Sequence, residues 1–373
     1  MSWQHVKLGD IADIIMGQSP KSEYFNTQGE GMPFMQGKTE FGELYPTIVK
    51  HTTYTTRVAK KNSILFTVRA PVGSLNIANQ DICIGRGLAS IDSKNEDNSF
   101  LYYLIKNSYK MFMSESGEGV YDSINRTNLT KVKLLVPDEP KERYKIGAIL
   151  KCYDDLIANN LKRINLLEQA AQNIYQEWFV NMRFPGHESA EFDSVNGLPE
   201  GWKRELLSNQ LKTIKRKGKL KKDKYLINGK YPVIDQSNSI IGGYSENKEL
   251  VHFEPLPMVI FGDHTRRVKY VDFPFISGAD GTQLLYPKNE ELLPAYFYWA
   301  IKNIDLSNYH YARHFKFLKQ NSILIPDKNT LESFNNNIEP FLKKITLLNN
   351  YNSKLKEARD ILLPRLMNQT IEV

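Results

Sequence analysis

Side chains able to pair with base edges and phosphates gather in short clusters along this chain. The first half holds Gln36-Gly37-Lys38, Thr67-Val68-Arg69, Arg86-Gly87 and Tyr121-Asp122-Ser123-Ile124-Asn125-Arg126. The second holds Asp235-Gln236-Ser237-Asn238, Asp263-His264-Thr265-Arg266-Arg267, and a stretch from Asn308 through Tyr309, His310 and Arg313 to His314. Arg, Gln and Asn make paired hydrogen bonds to base edges in the major groove, whereas Lys, Arg and small polar groups hold phosphates. Lys215, Arg216 and Lys217 belong to a denser basic block between Lys212 and Lys224, opposed only by Asp223. Such a block is commonly just a solvated face, but against a phosphate backbone it adds affinity by releasing counterions. Any one of these residues also reads as ordinary surface; as sets at matching places in the two halves, they carry more weight.

No catalytic constellation accompanies them. The run Gly85-Arg86-Gly87-Leu88-Ala89-Ser90 lacks the third glycine and the following helix of a dinucleotide or methyl-donor loop. There is no Asn-Pro-Pro-Tyr/Phe run to grip an adenine amino group and no phosphate loop for ATP. His310 and His314 stand four apart without the intervening Glu of a zinc protease, and no other ligand set is visible. Asp138, Glu139 and Lys141 resemble a nuclease set only loosely, and acids at a helix N-terminus are explained by the dipole. Two cysteines, Cys83 and Cys152, make neither a disulfide framework nor a zinc site, and Cys152 is expected to be a small packing residue. The reading is a binder with no catalytic residue, metal or cofactor of its own.

The elements that must position these clusters occur twice along the chain. Residues 1–137 form a strand-rich head that ends at Leu135-Val136-Pro137, and 138–183 form a long helix. A Pro/Gly-bearing linker, 184–197, leads to a second head, 198–326, and a second long helix, 327–373. In the first helix Ile146, Leu150, Tyr153, Ile157, Asn160, Ile164, Leu167, Ala171, Ile174 and Trp178 keep a strict 4-3-4-3 spacing. Phe334, Ile338, Phe341, Ile345, Leu348, Asn352, Leu355, Arg359, Leu362 and Leu366 keep the same spacing at an offset of 188 residues. That is a coiled-coil seam, with Asn160, Asn352 and Arg359 as polar intruders that fix register or partner. Two helices of about 40 residues, each roughly 60 Å long, can pair antiparallel within one chain. The heads match more loosely: Pro33–Gly37 stands opposite Pro232–Ser237, Ile64–Arg69 opposite Val259–His264, and Phe100–Asn107 opposite Ala295–Asn303. The fold class expected is α+β, two mixed heads separated by an antiparallel coiled coil, with loops that differ on a shared frame.

Forty-nine Lys and Arg against 42 Asp and Glu give a net charge of +7, which favours a polyanionic partner. No run of about 18 apolar residues suggests a membrane span. The N-terminus lacks an apolar signal core, so a cytoplasmic location is expected.

The duplicated architecture resembles the specificity subunit of type I restriction–modification systems. The resemblance rests further on the helix ends Leu167-Glu168-Gln169 through Glu177-Trp178-Phe179 and Leu355 through Leu362-Leu363-Pro364-Arg365-Leu366-Met367. Leu198-Pro199-Glu200-Gly201-Trp202 and Gly262-Asp263-His264-Thr265 add to it. It implies two target-recognition domains related by a pseudo-two-fold axis, each reading half of a bipartite, asymmetric site on double-stranded DNA. It implies helices that set the spacer and dock two modification subunits, which carry S-adenosylmethionine and flip the target adenine. Restriction subunits, with ATP and Mg, would complete a nuclease. Two other readings stay open at this point: a coiled-coil adaptor for protein or RNA, and a DNA-modifying enzyme with unrecognised motifs.

Overall fold

The computed structural model describes residues 2–95, 97–114, 123–212, 214–309 and 313–372. Contacts divide the chain into two compact units, one of Met1–Asn159 with Asn352–Val373 and one of Asn160–Tyr351. Each unit thus holds one head plus a part of each long helix, so the units cut both helices rather than separating heads from spacers.

In unit one the first head strand, Trp3–Lys7, runs antiparallel to the last, Lys133–Pro137, pairing Trp3 with Pro137 and Lys7 with Lys133. Between them lie a four-stranded sheet in the order Ala12–Met16, Leu88–Ser93, Ile64–Thr67, Leu75–Ile77 and a five-stranded one. In the latter, Met32–Met35 and Ile82–Ile84 form a parallel pair, Phe34 opposite Cys83. Unit two repeats the plan. Lys203–Leu206 runs antiparallel to Ser322–Ile325, and Met258–Gly262 sits between Val268–Val271 and Thr282–Leu285. Tyr231–Ile234 and Phe275–Ser277 form the parallel pair, Val233 opposite Ile276. The central strands Ile64–Thr67 and Met258–Gly262 are buried along their whole length, which is why they read as continuous apolar runs.

The start of one strand departs from the sequence reading. The strand expected from Lys131 starts at Lys133, because Arg126–Lys131 is a short helix capped by Asn125, whose side chain accepts from Asn128 N at 2.9 Å. The segment 184–197 is anchored at its start, where Phe184 is buried against Trp202, ring centroids 4.8 Å apart, while residues 191–197 are exposed.

The long helices are Pro140–Tyr175, continued by a π-turn at Gln176–Val180, and Lys328–Met367. Every heptad position named above is buried or half-buried. Cys152 is exposed, because it falls between the seam positions Leu150 and Tyr153 on the opposite side of the helix, so it is no packing residue.

Within unit one Ile146 and Leu150 share a core with Leu363, Leu366 and Met367, while Asp154 meets Arg359, so the two helix segments run antiparallel. Within unit two Tyr175, Trp178 and Phe179 all close on Phe334, the last two at 5.7 and 4.9 Å between ring centroids. Asp154 and Arg359 are buried, and Tyr103 of the head helix Asn98–Asn107 donates to Asp154 at 2.6 Å. Burial opposes the Arg359 charge, yet bonds to Asp360 and Asp154 hold its pKa above the usual arginine value. At the offset of 188 residues, Leu342 and Ala171 take these two places in unit two, both buried.

Asp154→Ala would leave the buried Arg359 guanidinium with Asp360 alone and the Tyr103 hydroxyl without its acceptor, and should cost about 1–3 kcal/mol, read by urea unfolding with hydrogen exchange in the helix segments of unit one. Asp154→Leu with Arg359→Ala, which copies unit two, should recover most of that loss.

Candidate nucleic-acid interface

Five of the residues singled out in head one converge. Gln36, Lys38, Thr67, Arg69 and Arg86 line one cleft of about 220 Å³. Gln36 and Lys38 leave the strand Met32–Met35, Arg69 follows Ile64–Thr67, and Arg86 sits on the turn from Ile82–Ile84 to Leu88–Ser93. Gln36, Lys38, Arg69 and Arg86 are exposed. Thr67 is not free to read anything: it is buried, donates to Pro71 O at 2.7 Å and accepts from Ser74 N at 2.9 Å. Its role is to fold the loop that carries Arg69. Ser123 bridges to Arg69 through the backbone, which brings Ser123 beside the cleft. Asn125 is engaged as the helix cap, and Arg126, exposed, begins that helix. Tyr121 lies outside the described residues.

Head two uses the same frame differently. Gln236 holds its own loops together: Nε2 donates to Asp280 O at 3.1 Å, Oε1 accepts from His264 N at 3.1 Å, and its carbonyl accepts from Thr265 Oγ1 at 2.8 Å. Asp235 is buried, accepting from Ser237 N at 2.9 Å and Oγ at 2.5 Å. Asp235 and Ser237 therefore shape the loop, and exposed Asn238 is what it presents. Arg266 adopts a left-handed φ of 59° and donates to Leu306 O at 3.0 Å. Asn238, Arg266 and Arg267 line a cleft of about 440 Å³ with Lys269, Lys302 and Glu168. His264 and Thr265 are exposed.

The last cluster changes meaning most. His314 is buried, with Nδ1 2.9 Å from Asp263 O and Nε2 2.8 Å from Tyr309 O. A ring N–H donates to one of these carbonyls and the ring is buried, so His314 pins a loop and does not present its edge at the surface. Tyr309 stacks on Phe317 at 4.0 Å, and exposed Arg313 stands just before the helix His314–Gln320. His310 lies outside the described residues. Among the described residues no group of three or more metal-ligating side chains gathers.

The basic block is an extended segment with alternating exposure: Lys215, Lys217 and Lys219 face solvent, while Arg216 is half-buried and donates to Thr282 O. Lys219 pairs with Asp280 at 2.9 Å. Asp280 and the buried Lys269 escaped the sequence reading. The glycines Gly278 and Gly281 flanking Asp280, matching Gly85 and Gly87, were the available signal for the first. Lys269 looked like a polar position in an alternating strand. Its ammonium donates to Asp235 O and Ser239 O, each at 2.6 Å. Burial pushes its pKa down to about 8, against the pull of Asp235.

The family described as type I restriction modification DNA specificity domain matches residues 1–169. A chain described as a type I restriction enzyme MjaX specificity subunit, from Methanocaldococcus jannaschii, is 42% identical over 177 residues. That match takes in 46% of this chain and 41% of the relative, less than half of its length. The MjaIX specificity subunit of the same organism is 25% identical over 410 residues, covering 98% of this chain and 92% of that one. The crystal structure of a type I restriction–modification S subunit from M. genitalium superposes with a TM-score of 0.61 over 98% of this chain and 96% of that one. At 16% identity it speaks for the fold.

The lowered Lys269 pKa has a consequence for stability. Between pH about 8 and the ordinary lysine value near 10.4 the folded chain releases this proton while the unfolded chain keeps it, so stability rises with pH across that window. Thermal unfolding from pH 7 to 10 should show this rise, and Lys269→Met should flatten it.

Proposed function

We propose that this chain, which belongs to the family of type I restriction–modification specificity subunits, is the DNA-reading, non-catalytic subunit of such a complex. Each head reads one half of a bipartite, asymmetric site on double-stranded DNA. The observation that carries this is the head-one cleft, where Gln36, Lys38, Arg69 and Arg86 arrive from separate loops and leave their polar ends exposed. Such side chains make paired bonds to guanine and adenine edges and hold the flanking phosphates. In head two Lys215, Lys217 and Asn238 supply exposed charge and amide groups, and His264, Thr265 and Arg267 are exposed as well.

The heads carry the reading and the long helices carry the assembly. Their seams are filled, yet Leu156, Leu166 and Tyr351 stay 50%, 53% and 50% exposed. Apolar side chains at that exposure suit docking of two modification subunits. S-adenosylmethionine belongs to those subunits, and ATP with Mg to restriction subunits, so methyl transfer and cleavage are theirs. No helix among the described residues is long and apolar enough to cross a membrane.

Assembled with modification subunits, the chain should direct methylation to adenines in two unlike half-sites at one fixed spacing, mapped by sequencing host DNA. The chain alone, given methyl donor, should transfer nothing; methyl transfer by the pure chain would overturn the non-catalytic assignment. Arg69→Ala, and Lys215→Ala with Lys217→Ala, should each weaken duplex binding about tenfold. Unchanged binding in both would favour a protein or RNA adaptor. Inserting about four residues, near one helical turn, after Ala158 should change the preferred spacer and leave both half-sites as they were.

A further inference from the structure

The two heads share a pair of backbone hydrogen bonds at the loop leaving their parallel strands. In head one Gly85 N donates to Met35 O at 2.7 Å, and Val68 N donates to Gly87 O at 2.9 Å. In head two Gly278 N donates to Ile234 O at 2.8 Å, and Asp263 N donates to Gly281 O at 2.7 Å. The loop between the two glycines therefore occupies the same place in both frames. Its cargo differs: Arg86 in the first, Ala279 and Asp280 in the second. The sign of the charge is reversed.

The surroundings differ to match. In head two the space beside the loop is filled by Gln236, bonded on both sides, and the Asp280 carboxylate is paired with Lys219. In head one Gln36 is exposed, the cleft is open, and the Arg86 guanidinium has no hydrogen-bond or ion-pair partner among the described residues. The backbone beneath it is fixed. Arg86 N donates to Ser19 Oγ at 3.1 Å; a Cβ at Gly85 would lie 2.9 Å from that oxygen, and one at Gly87 would collide with the Gln36 carbonyl. A free, rigidly based guanidinium in a cleft with a second arginine, Arg69, is preorganised to meet a planar pair of acceptors, because little loop entropy is lost on contact.

From this we infer that Arg86 is a specificity-determining residue of head one, its guanidinium donating to O6 and N7 of a guanine in that head's half-site. The inference rests on the DNA-reading role proposed above and assigns it a base. Lys38 and Arg69, on the same cleft, position the strand beside that guanine.

The test uses the full chain assembled with modification subunits and a pool of duplexes randomised across both half-sites, the bound fraction being sequenced. The unsubstituted complex should select one bipartite site. Arg86→Gln and Arg86→Lys should both lose selection for one G·C pair in one half-site about tenfold or more, leaving the other half-site unchanged. Arg86→Lys, which keeps the charge but not the fork, should retain the salt dependence of the parent. Uniform weakening over all sequences in Arg86→Gln, with Arg86→Lys behaving as the parent, would make Arg86 a phosphate contact and overturn the inference. So would selection unchanged in both variants, or lost at a base pair other than G·C. If the unsubstituted complex selects no bipartite site, the DNA-reading role falls with the inference, and this is seen before any variant is compared.

Discussion

One buried ion pair holds unit one in register. Arg359 on the second long helix meets Asp154 on the first, and Asp154 also takes the hydroxyl of Tyr103 from the head. Three elements distant in sequence are thereby tied at one carboxylate. Breaking such a pair on one side is costly, because the charge left behind stays buried. Burial first, and then the bond to Asp154, keep the Tyr103 hydroxyl protonated and donating, its pKa far above the usual tyrosine value. Lys106 adds a looser tie from the same head helix to Asp360 at 3.8 Å. In unit two the head helix is anchored by Lys302 to Glu168 and by Asn303 to Gln172, with an apolar pair where the ion pair would stand.

That difference bears on how a duplicated chain avoids confusing its own halves. Identical heptad spacing would let either helix segment accept several partners. Asp154 set opposite a copy of Ala171 would bury a carboxylate without its cation, and Arg359 opposite a copy of Leu342 would keep only its chain neighbour Asp360. The ion pair thus favours the pairing found within unit one, as polar residues at seam positions do in coiled coils generally.

The heads show the complementary rule: the ladder is preserved and the loops are not. The hydrogen bonds at Gly85 and Gly278 have nearly the same length, and the parallel pairs keep the same partners. Between these fixed points one head opens a basic cleft and the other closes it with Gln236. A frame of this kind allows contact residues to be exchanged without disturbing the core, since the exchanged side chains end in solvent.

The repeat, the heptads and the central strands were legible in the sequence because each is written locally, as spacing or as an unbroken apolar run. Gln36, Lys38, Arg69 and Arg86 were legible in the sequence only as the chemistry of separate clusters; their meeting in one cleft is the work of strand order. Thr67, Asp235 and His314 had the same residue types as the exposed candidates. Only the tertiary structure decided that the first folds a turn, the second accepts from Ser237, and the third is held between two carbonyls. Cys152 and the segment around Phe184 went the same way, since a side chain's fate depends on which surface packs over it. Periodicity is a property of neighbours along the chain and survives in sequence. Burial of a single polar group depends on residues tens of positions away, and folding alone brings those into contact.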